Sequence, residues 1–248
     1  MSKTKFRRLI LSVVVILAAG TLIITDKSNF RQPETTYTTE TPSKSNPSAT
    51  LASTLLSELK IKGRSPKTGY SRDEFGKGWG DINGCDTRNV ILERDLVDTT
   101  LNTTSSKPKE ACWVLSGILN DPYTNTTITF SRGPGTSSLV QIDHVVALSD
   151  AWQKGAQALE KSTRVQFAND PLNLLAVEGA ANQQKSDGDA ATWLPPNKSF
   201  RCHYVARQVS VKYKYNLWVT QAEHDSIADI LSTCPSEPSL IELISSPN

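Results

Sequence analysis

The chain has 248 residues, 38% of them hydrophobic and 21% charged, with 13 glycines and 13 prolines. This ordinary globular composition excludes a collagen, a coiled coil and a wholly disordered chain, and the length is sufficient for a hydrophobic core. The formal net charge is +2, but removing residues 1–26 takes away four basic residues and one acid, leaving 23 basic and 24 acidic residues, so bulk charge gives no argument for a polyanionic partner.

Residues 1–26 have the pattern of an export segment. Four basic residues lie within residues 1–8, and residues 9–24 form an uncharged apolar run. A basic flank before an apolar stretch is typical of a signal peptide, and the run is shorter than the roughly 20 residues that span a bilayer as a helix. We expect a secreted or extracytoplasmic protein, in which residues 9–24 either belong to a cleaved signal peptide or anchor the chain in the membrane.

Residues 27–50 are rich in Ser, Thr, Pro and Asn and contain few large apolar side chains. Such a segment cannot bury enough surface to offset its ordering entropy. This predicts a disordered linker, followed by a folded domain over residues 51–234. Residues 235–248 contain three prolines and are predicted to form a loose tail.

The chain contains four cysteines, Cys85, Cys112, Cys202 and Cys234. No pair has the C-x-x-C spacing of a common zinc site, and an even number of cysteines in an exported chain favours disulfides. Three pairings are possible. We favour Cys85–Cys112 and Cys202–Cys234, because pairs that are local in sequence keep each bridge within one part of the domain.

The first half of the folded part shows four recognisable segments. In chain order they are a helix over residues 52–60, a Gly-rich ordered loop over 63–84, a short helix or strand over 85–96, and a hairpin made of the apolar runs 113–119 and 127–130. The first helix is predicted to be capped by Ser53 or Thr54.

The second half alternates between β-rich and helical patterns. Its predicted elements are a β-rich run over 140–148, a helix over 149–160, a short strand over 172–177, a helix beginning over 178–185, and amphipathic helices over 200–213 and 220–231. Gly188 is expected to end the second of these helices. Small β-segments mixed with helices predict an α+β fold.

His144 follows Asp143 within the β-rich run. Successive residues of a strand point to opposite faces, so these two side chains diverge unless the strand ends or bends there. At such a bend both can reach one pocket, where one binds a metal and the other transfers protons. The alternative is a hydrogen-bonded structural histidine at a strand end.

Two further segments carry polar residues of interest. Asn173 interrupts an apolar strand, and because a buried amide needs hydrogen bonds, it is predicted to tie a loop to that strand. On a helix, Asn182, Lys185 and Ser186 share a face. An amide oxygen suits Mg²⁺ or Mn²⁺ and Lys185 can contact a phosphate, although a solvated helix face is the alternative.

Taken together, Asp-His ending one strand, Asn in a second strand and Asn on a following helix resemble the active site of HNH, or ββα-metal, nucleases. The wider chain resembles exported actinobacterial proteins of the HNH endonuclease family, related to the DUF1524 and GmrSD C-terminal nuclease domains. The resemblance covers about residues 65–232. Its matching stretches are GYSRDEFGKGWGDINGCDTRN (69–89), VQIDHVVALSDAWQKGA (140–156), FANDPLNLLAVEGAANQQKSD (167–187) and TWLPPN (192–197).

The resemblance implies an α+β domain with a ββα-metal core, flanking helices and a small hairpin. It implies an endonuclease that hydrolyses phosphodiester bonds of DNA, with RNA as a second candidate substrate. His144 matches the general base, Asp143 and Asn182 match the metal ligands, and Asn173 matches the position that holds the loop. Oxygen ligands favour Mg²⁺ or Mn²⁺ over Zn²⁺. The implied partner is nucleic acid, and no protein partner is inferred.

Residues outside these motifs have competing interpretations. Arg72 and Arg88 are candidates for phosphate contacts, but they can also pair with neighbouring carboxylates. Trp79, Trp152 and Trp193 can stack on bases, although packing in the core is the favoured interpretation.

Two other functions stay open at this point. A cell-surface hydrolase acting on wall polymers can use paired carboxylates, with Asp143 beside Glu74 or Asp86. Its activity would survive a chelator and the Asn182→Ala substitution. A non-catalytic surface module can keep the same fold and bind without turnover at any metal concentration.

Overall fold

The structure is a computed structural model, and it describes residues 50–241. The predicted signal or anchor, residues 1–26, and nearly all of the predicted linker lie outside the described residues, so both stay predictions. Between residues 50 and 241, no helix is long and apolar enough to cross a membrane.

The described part of the chain mixes short strands with helices. In chain order the elements are α1 Ala52–Glu58, β1 Asp81–Ile82, β2 Cys85–Asp86, α2 Thr87–Asp95, β3 Val97–Leu101, α3 Pro108–Ala111, β4 Val114–Asn120, β5 Thr127–Ser131, β6 Val140–His144, α4 Leu148–Gln153, α5 Lys161–Asn169, β7 Leu174–Glu178, α6 Gly179–Lys185, α7 Arg201–Lys214 and α8 Gln221–Ser232. The strands form three small antiparallel sheets, β1-β2, β3-β4-β5 and β6-β7. The predicted α+β class and the predicted hairpin, β4-β5, are confirmed.

The sheet that carries the site is the ribbon of β6 and β7. The two strands pair antiparallel with His144 opposite Leu174, and α6 begins directly after β7. Gly179 allows the backbone of Ser138 to pack closely against the start of α6, because a Cβ atom at position 179 would clash with the carbonyl oxygen of Ser138. β6, β7 and α6 form the predicted ββα core.

Both faces of the β6-β7 ribbon are covered by apolar residues. Ile142 packs in a cluster with residues of α2, β4 and β5, whereas Leu175 belongs to the cluster around α1, α7 and α8. Because strand residues alternate between faces, Asp143 lies on the face of Leu175, its partner across the ribbon. His144 lies on the face of Ile142.

Some details of the fold differ from the predictions. Leu51, not Ser53 or Thr54, precedes α1, and no side chain caps this helix. The Ala52 amide donates instead to the carbonyl oxygen of Glu237 at 3.0 Å, so backbone from a distant segment replaces the cap. Strand β3 and helix α5 were not predicted, and the helix predicted over 149–160 ends at residue 153.

The described part of the predicted loose tail packs against the domain. The Ser239 amide donates to the Thr50 carbonyl at 2.7 Å, and the Leu240 amide donates to Ser210 Oγ at 2.9 Å. Leu240 is buried. Proline disfavours a helix in this segment, but the amides of residues 239 and 240 still donate hydrogen bonds to the domain. Residues 242–248 lie outside the described residues.

The two predicted disulfides are confirmed. Cys85 and Cys112 are bonded with a Cα–Cα distance of 5.7 Å, and Cys202 and Cys234 with one of 6.4 Å. The first bridge ties β2 to the end of α3. The second ties the start of α7 to the segment just after α8, so each bridge links neighbouring elements.

Six charged side chains from α4, α7, α8 and the neighbouring loops form a network of ion pairs. We call them the buried ion cluster, and its members are Arg64, Asp150, Lys154, Asp189, Lys212 and Glu223. The fully buried Lys154 ammonium lies 2.7 Å from one oxygen each of Asp150 and Asp189 and 2.6 Å from Glu223. Three bases balance three acids, which compensates the cost of removing these charges from water.

The buried ion cluster predicts a loss of stability in acid. Burial raises the pKa of Asp189, but the hydrogen bond from Lys154 and the charges of Lys154 and Arg64 outweigh burial and lower this pKa from 3.8 to about 2. The unfolded chain therefore takes up a proton at a higher pH than the folded chain. Stability that is present above about pH 4 falls as the pH drops towards 2.

Denaturant unfolding at several pH values between about 5 and 2 measures this loss. The Asp189→Asn variant is expected to show a shallower dependence on pH than the wild type. Asp229→Asn, an exposed position on α8, is the matched control and is expected to follow the wild type. An unchanged pH dependence in Asp189→Asn would contradict the assignment.

Candidate active site

His144 is held in one orientation at the end of β6. Its Nε2 atom lies 2.9 Å from the carbonyl oxygen of Ala168, and because a carbonyl only accepts, Nε2 carries the proton. The Nδ1 atom then bears the lone pair and has no hydrogen-bond partner among the described residues. Trp79 stacks on the imidazole, with ring centres 5.8 Å apart and ring planes 8° apart.

Burial keeps the His144 ring neutral at physiological pH. Desolvation lowers the pKa of His144 from 6.5 to about 4, although the bond to Ala168 and the charge of Asp143 act in the opposite direction. The positive charges of Arg72 and Lys185 lower the pKa further. A neutral imidazole with a free Nδ1 atom can accept a proton.

Two cavities meet at His144. The smaller, of about 180 Å³, lies on the side of Trp79. The larger, of about 370 Å³, is lined by Asp143 and Asn182. Arg72 and His144 line both cavities. The larger cavity therefore brings together Arg72, Asp143, His144 and Asn182, although the strand directs Asp143 and His144 to opposite faces.

The Asp143 carboxylate is fixed by two hydrogen bonds. The Tyr123 hydroxyl donates to Oδ2 at 2.5 Å, and the Lys185 ammonium donates to Oδ1 at 2.9 Å. Lys185 also donates to the carbonyl oxygen of His144 at 2.8 Å. Since Tyr123 and Lys185 are both buried, the carboxylate of Asp143, a residue that lines the larger cavity, has a defined orientation.

Asn173 lies in a short 3₁₀ turn just before β7, rather than inside the strand. Its Oδ1 accepts from the Val146 amide at 2.8 Å, and its Nδ2 lies 3.3 Å from the Val146 carbonyl and 3.4 Å from that of Phe167. Its own carbonyl accepts from the Val145 amide at 2.8 Å. Asn173 thus holds the segment that directly follows His144, and it lines neither cavity.

Asn182 lies in α6 and lines the larger cavity. Its Nδ2 donates to Gln141 Oε1 at 2.9 Å, and its Oδ1 accepts no hydrogen bond from a described residue. Ser186 has left the helix, with φ at +52°. The amide oxygen of Asn182 is therefore a free polar atom that α6 offers at the cavity of Asp143.

Two of the predicted phosphate contacts are engaged with protein atoms. The Lys185 side chain is fully buried against Asp143. Arg88 donates to the carbonyl oxygens of Ser137 at 3.3 Å and Val140 at 3.1 Å and lines neither cavity. Arg72 is exposed and forms no ion pair within residues 50–241, so it is the predicted cation that faces the site.

The alternative carboxylate partners of Asp143 are bound elsewhere. Glu74 forms an ion pair with Arg164 at 2.7 Å, and Asp86 accepts from the Asn89 amide at 2.9 Å as the cap of α2. Neither residue lines the cavity of Asp143.

The larger cavity offers oxygen ligands that suit a hard divalent cation. Asp143 supplies a carboxylate and Asn182 an unengaged amide oxygen, and Mg²⁺ commonly combines one or two protein ligands with waters and phosphate oxygens. Among residues 50–241, no group of three His, Cys, Asp or Glu side chains lies close enough to hold a metal. The residues present thus fit an ion held by two protein oxygens, with the Lys185 ammonium beside one of them.

The structure adds three groups that the sequence did not identify at the site. The Ala168 carbonyl orients His144, and a backbone acceptor leaves no mark in the sequence. Tyr123 sits in a turn after Pro122, where nothing signals its contact with Asp143. Trp79, for which core packing was favoured over base stacking, packs against the cluster that contains Ile142 and also stacks on His144; its position within a Gly-rich loop was the available signal.

Comparison with known proteins assigns the chain to a family. Residues 86–230 match the model of the C-terminal domain of GmrSD restriction endonucleases, which is more than half of the chain. The chain belongs to this family. A GmrSD C-terminal domain indicates a nuclease-type function. The matched range contains the whole ββα core, whereas Arg72 and Trp79 precede it.

One relative is similar over most of the chain. An uncharacterized secreted protein from Arthroderma benhamiae is 40% identical over 191 residues, which cover 76% of this chain and 87% of that protein. No solved structure matches the chain significantly.

Proposed function

We propose that the protein is a metal-dependent endonuclease that hydrolyses phosphodiester bonds of DNA, with RNA as a second substrate, and that His144 is its general base. The observation that carries this proposal is the state of His144, a neutral ring whose Nε2–H is held by the Ala168 carbonyl and which lines both cavities. Membership of the GmrSD C-terminal family supports the nuclease class.

The chemistry assigned to His144 is proton transfer from the attacking water. As the water oxygen bonds to phosphorus, its proton moves to Nδ1 and the bond from phosphorus to the leaving sugar oxygen breaks. The bond from Nε2–H to Ala168 stabilises the imidazolium that forms. Arg72 lies where it can contact a phosphate oxygen, since it lines both cavities.

Asp143 and Asn182 are the residues that would hold the divalent ion. Bound there, the ion would neutralise charge on the scissile phosphate and on the leaving oxygen. Tyr123 and Lys185 orient the Asp143 carboxylate, and Asn173 fixes the segment after His144. The carboxylate-pair hydrolase is less well supported, because neither of its second carboxylates lines the cavity of Asp143.

Incubation of the full chain with plasmid DNA and with RNA, in Mg²⁺, Mn²⁺ or a chelator, tests the proposal. Cleavage is expected with either metal and is expected to stop with the chelator. Asn182→Ala should raise the metal concentration needed for half-maximal cleavage by about tenfold or more, because one of two protein ligands is lost. A titration of initial rate against metal concentration measures this shift.

Gln166→Ala is the matched control for Asn182→Ala. Gln166 is an exposed amide on α5 that lines neither cavity, and its metal dependence should equal that of the wild type. Cleavage that continues in the chelator, with no effect of Asn182→Ala, would contradict a metal-dependent mechanism.

We also propose that the protein acts outside the cytoplasm. All four cysteines are paired, and disulfides persist mainly in oxidising compartments. The Arthroderma benhamiae relative is described as secreted. Residues 9–24 are either removed with a signal peptide or retained as an anchor, and mass spectrometry of the exported protein distinguishes these two outcomes.

A further inference from the structure

The smaller cavity beside His144 has a composition that the cleavage reaction does not require. His144 lines both cavities, whereas the proposed metal ligands line the larger one alone. The smaller one is lined by aromatic and polar side chains together, including Phe75, Trp79, Asp73 and Arg72. Its volume of about 180 Å³ is below the roughly 300–1,000 Å³ of pockets for drug-sized ligands, so it suits a single small ring system.

The walls of the smaller cavity are suited to a flat aromatic group. Trp79 stacks on the His144 ring with the two planes 8° apart, which fixes the orientation of the indole, and a base would lie against the part of the indole that this stack leaves open. Phe75 is 1% exposed and fixed by its contacts with other aromatic rings. Gly78 has a φ of +75° and no atom within 4 Å of the position of a Cβ. The loop therefore turns around the cavity without filling it.

Polar groups lie at the same cavity. Asp73 and Arg72 are both exposed and can hydrogen-bond to the edge of a nucleobase. Arg72 also lines the larger cavity. It would therefore lie between a base in the smaller cavity and a phosphate in the larger one. A nucleotide has the same arrangement, with an aromatic ring a short distance from a negative charge.

We propose that the smaller cavity takes one unstacked nucleobase next to the scissile phosphate, and that the enzyme therefore prefers single-stranded nucleic acid. This inference rests on the proposed function and names its substrate class. In a duplex the base is paired and stacked, so placing it beside Trp79 requires the base to flip out, which costs free energy that a single strand largely avoids. Stacking on an aromatic side chain tolerates any base.

Cleavage kinetics on matched substrates test the preference. The full chain should cleave a single-stranded DNA with a kcat/KM about tenfold or more above that for the duplex of the same sequence. Trp79→Ala should raise KM for the single strand by roughly fivefold to a hundredfold, and Trp79→Phe should recover most of this loss. Trp113→Ala, which removes an indole that lines neither cavity, should behave as the wild type.

Trp79 contacts His144, so a purely positioning role has to be separated from base binding. A positioning role would lower kcat on single and double strands alike and leave KM unchanged, and that result would overturn the inference. Equal kcat/KM values for the two substrates, with cleavage that still depends on His144, would also overturn it and leave the nuclease assignment intact.

Fluorescence provides a readout that does not depend on turnover. Titration with a short single-stranded oligonucleotide in chelator should quench tryptophan emission of the wild type and of Trp113→Phe, and the quench should be lost in Trp79→Phe. If the chain cleaves nothing but this quench occurs, base binding stands and the nuclease proposal fails. A quench that persists in Trp79→Phe contradicts the assigned pocket.

Discussion

His144→Ala is expected to lower the rate of nucleic-acid cleavage by roughly 10²–10⁴-fold, the contribution of a positioned general base. Removing the ring takes away the Nδ1 atom that accepts the proton. It also leaves the Ala168 carbonyl without its donor. His144→Gln is therefore the second variant, since its amide can donate to the same carbonyl but cannot accept a proton at neutral pH. Initial rates on a single-stranded substrate measure both losses, and circular dichroism verifies the fold.

His224→Ala is the matched histidine control. His224 lies on α8, pairs with Asp225 and lines neither cavity beside His144, so its cleavage rate should equal that of the wild type. Wild-type cleavage by folded His144→Ala and His144→Gln would remove His144 from the mechanism.

Lys154→Met is expected to lower the free energy of unfolding by about 3–5 kcal/mol, the typical effect of breaking a buried ion pair. At roughly 2–4 °C per kcal/mol for a domain of this size, the Tm should fall by about 6–20 °C. The substitution leaves three carboxylates facing only Lys212 and Arg64. Methionine keeps much of the side-chain volume, so the loss measured by thermal unfolding reports the missing charge.

Lys107→Met provides the comparison at an exposed ion pair. The Lys107 side chain is 74% exposed and pairs with Glu110 on the same helical turn, and its removal should leave the Tm unchanged because exposed pairs contribute little. If Lys154→Met changed the Tm no more than Lys107→Met does, the buried ion cluster would not stabilise the fold.

The elements that the sequence predicts well are those whose signal is local. The amphipathic helices predicted over 200–213 and 220–231 are α7 Arg201–Lys214 and α8 Gln221–Ser232, each shifted by a single residue. The helical spacing of apolar residues is sufficient to predict these two helices, because one face of each helix packs into the core. The disulfides were predictable for a similar reason, since each joins two cysteines that follow one another in the order of cysteines along the chain, 27 and 32 residues apart.

The missed elements depend on distant partners. Helix α5 has a weak apolar period and buries Phe167 and Ala168, while its Arg164 pairs with Glu74 from the Gly-rich loop. Strand β3 has an exposed Val97, and its pairing with β4 gives it its conformation. Neither contact can be read from the local sequence, because tertiary packing overrides weak propensity.

The candidate site was predictable in residue type and order but not in its partners. The pattern of Asp143, His144 and Asn182 predicted a nuclease-type site, and the structure places all three residues at one cavity. Lys185 has the sequence context of a surface lysine, yet its ammonium is buried against Asp143. A sequence gives the residue types, whereas the burial and pairing of a charged side chain are set by what packs around it.

Residues 237–240 pack beside residues 50–52, so both ends of the described domain lie close together. Backbone bonds join Ala52 to Glu237 and Ser239 to Thr50, so the chain enters and leaves at nearly the same point. A linker of a few residues can bridge so short a gap, which makes the domain a natural candidate for circular permutation. For the same reason, the domain should be tolerated as an insertion into a surface loop of another protein, because the two ends of that loop would not have to move apart.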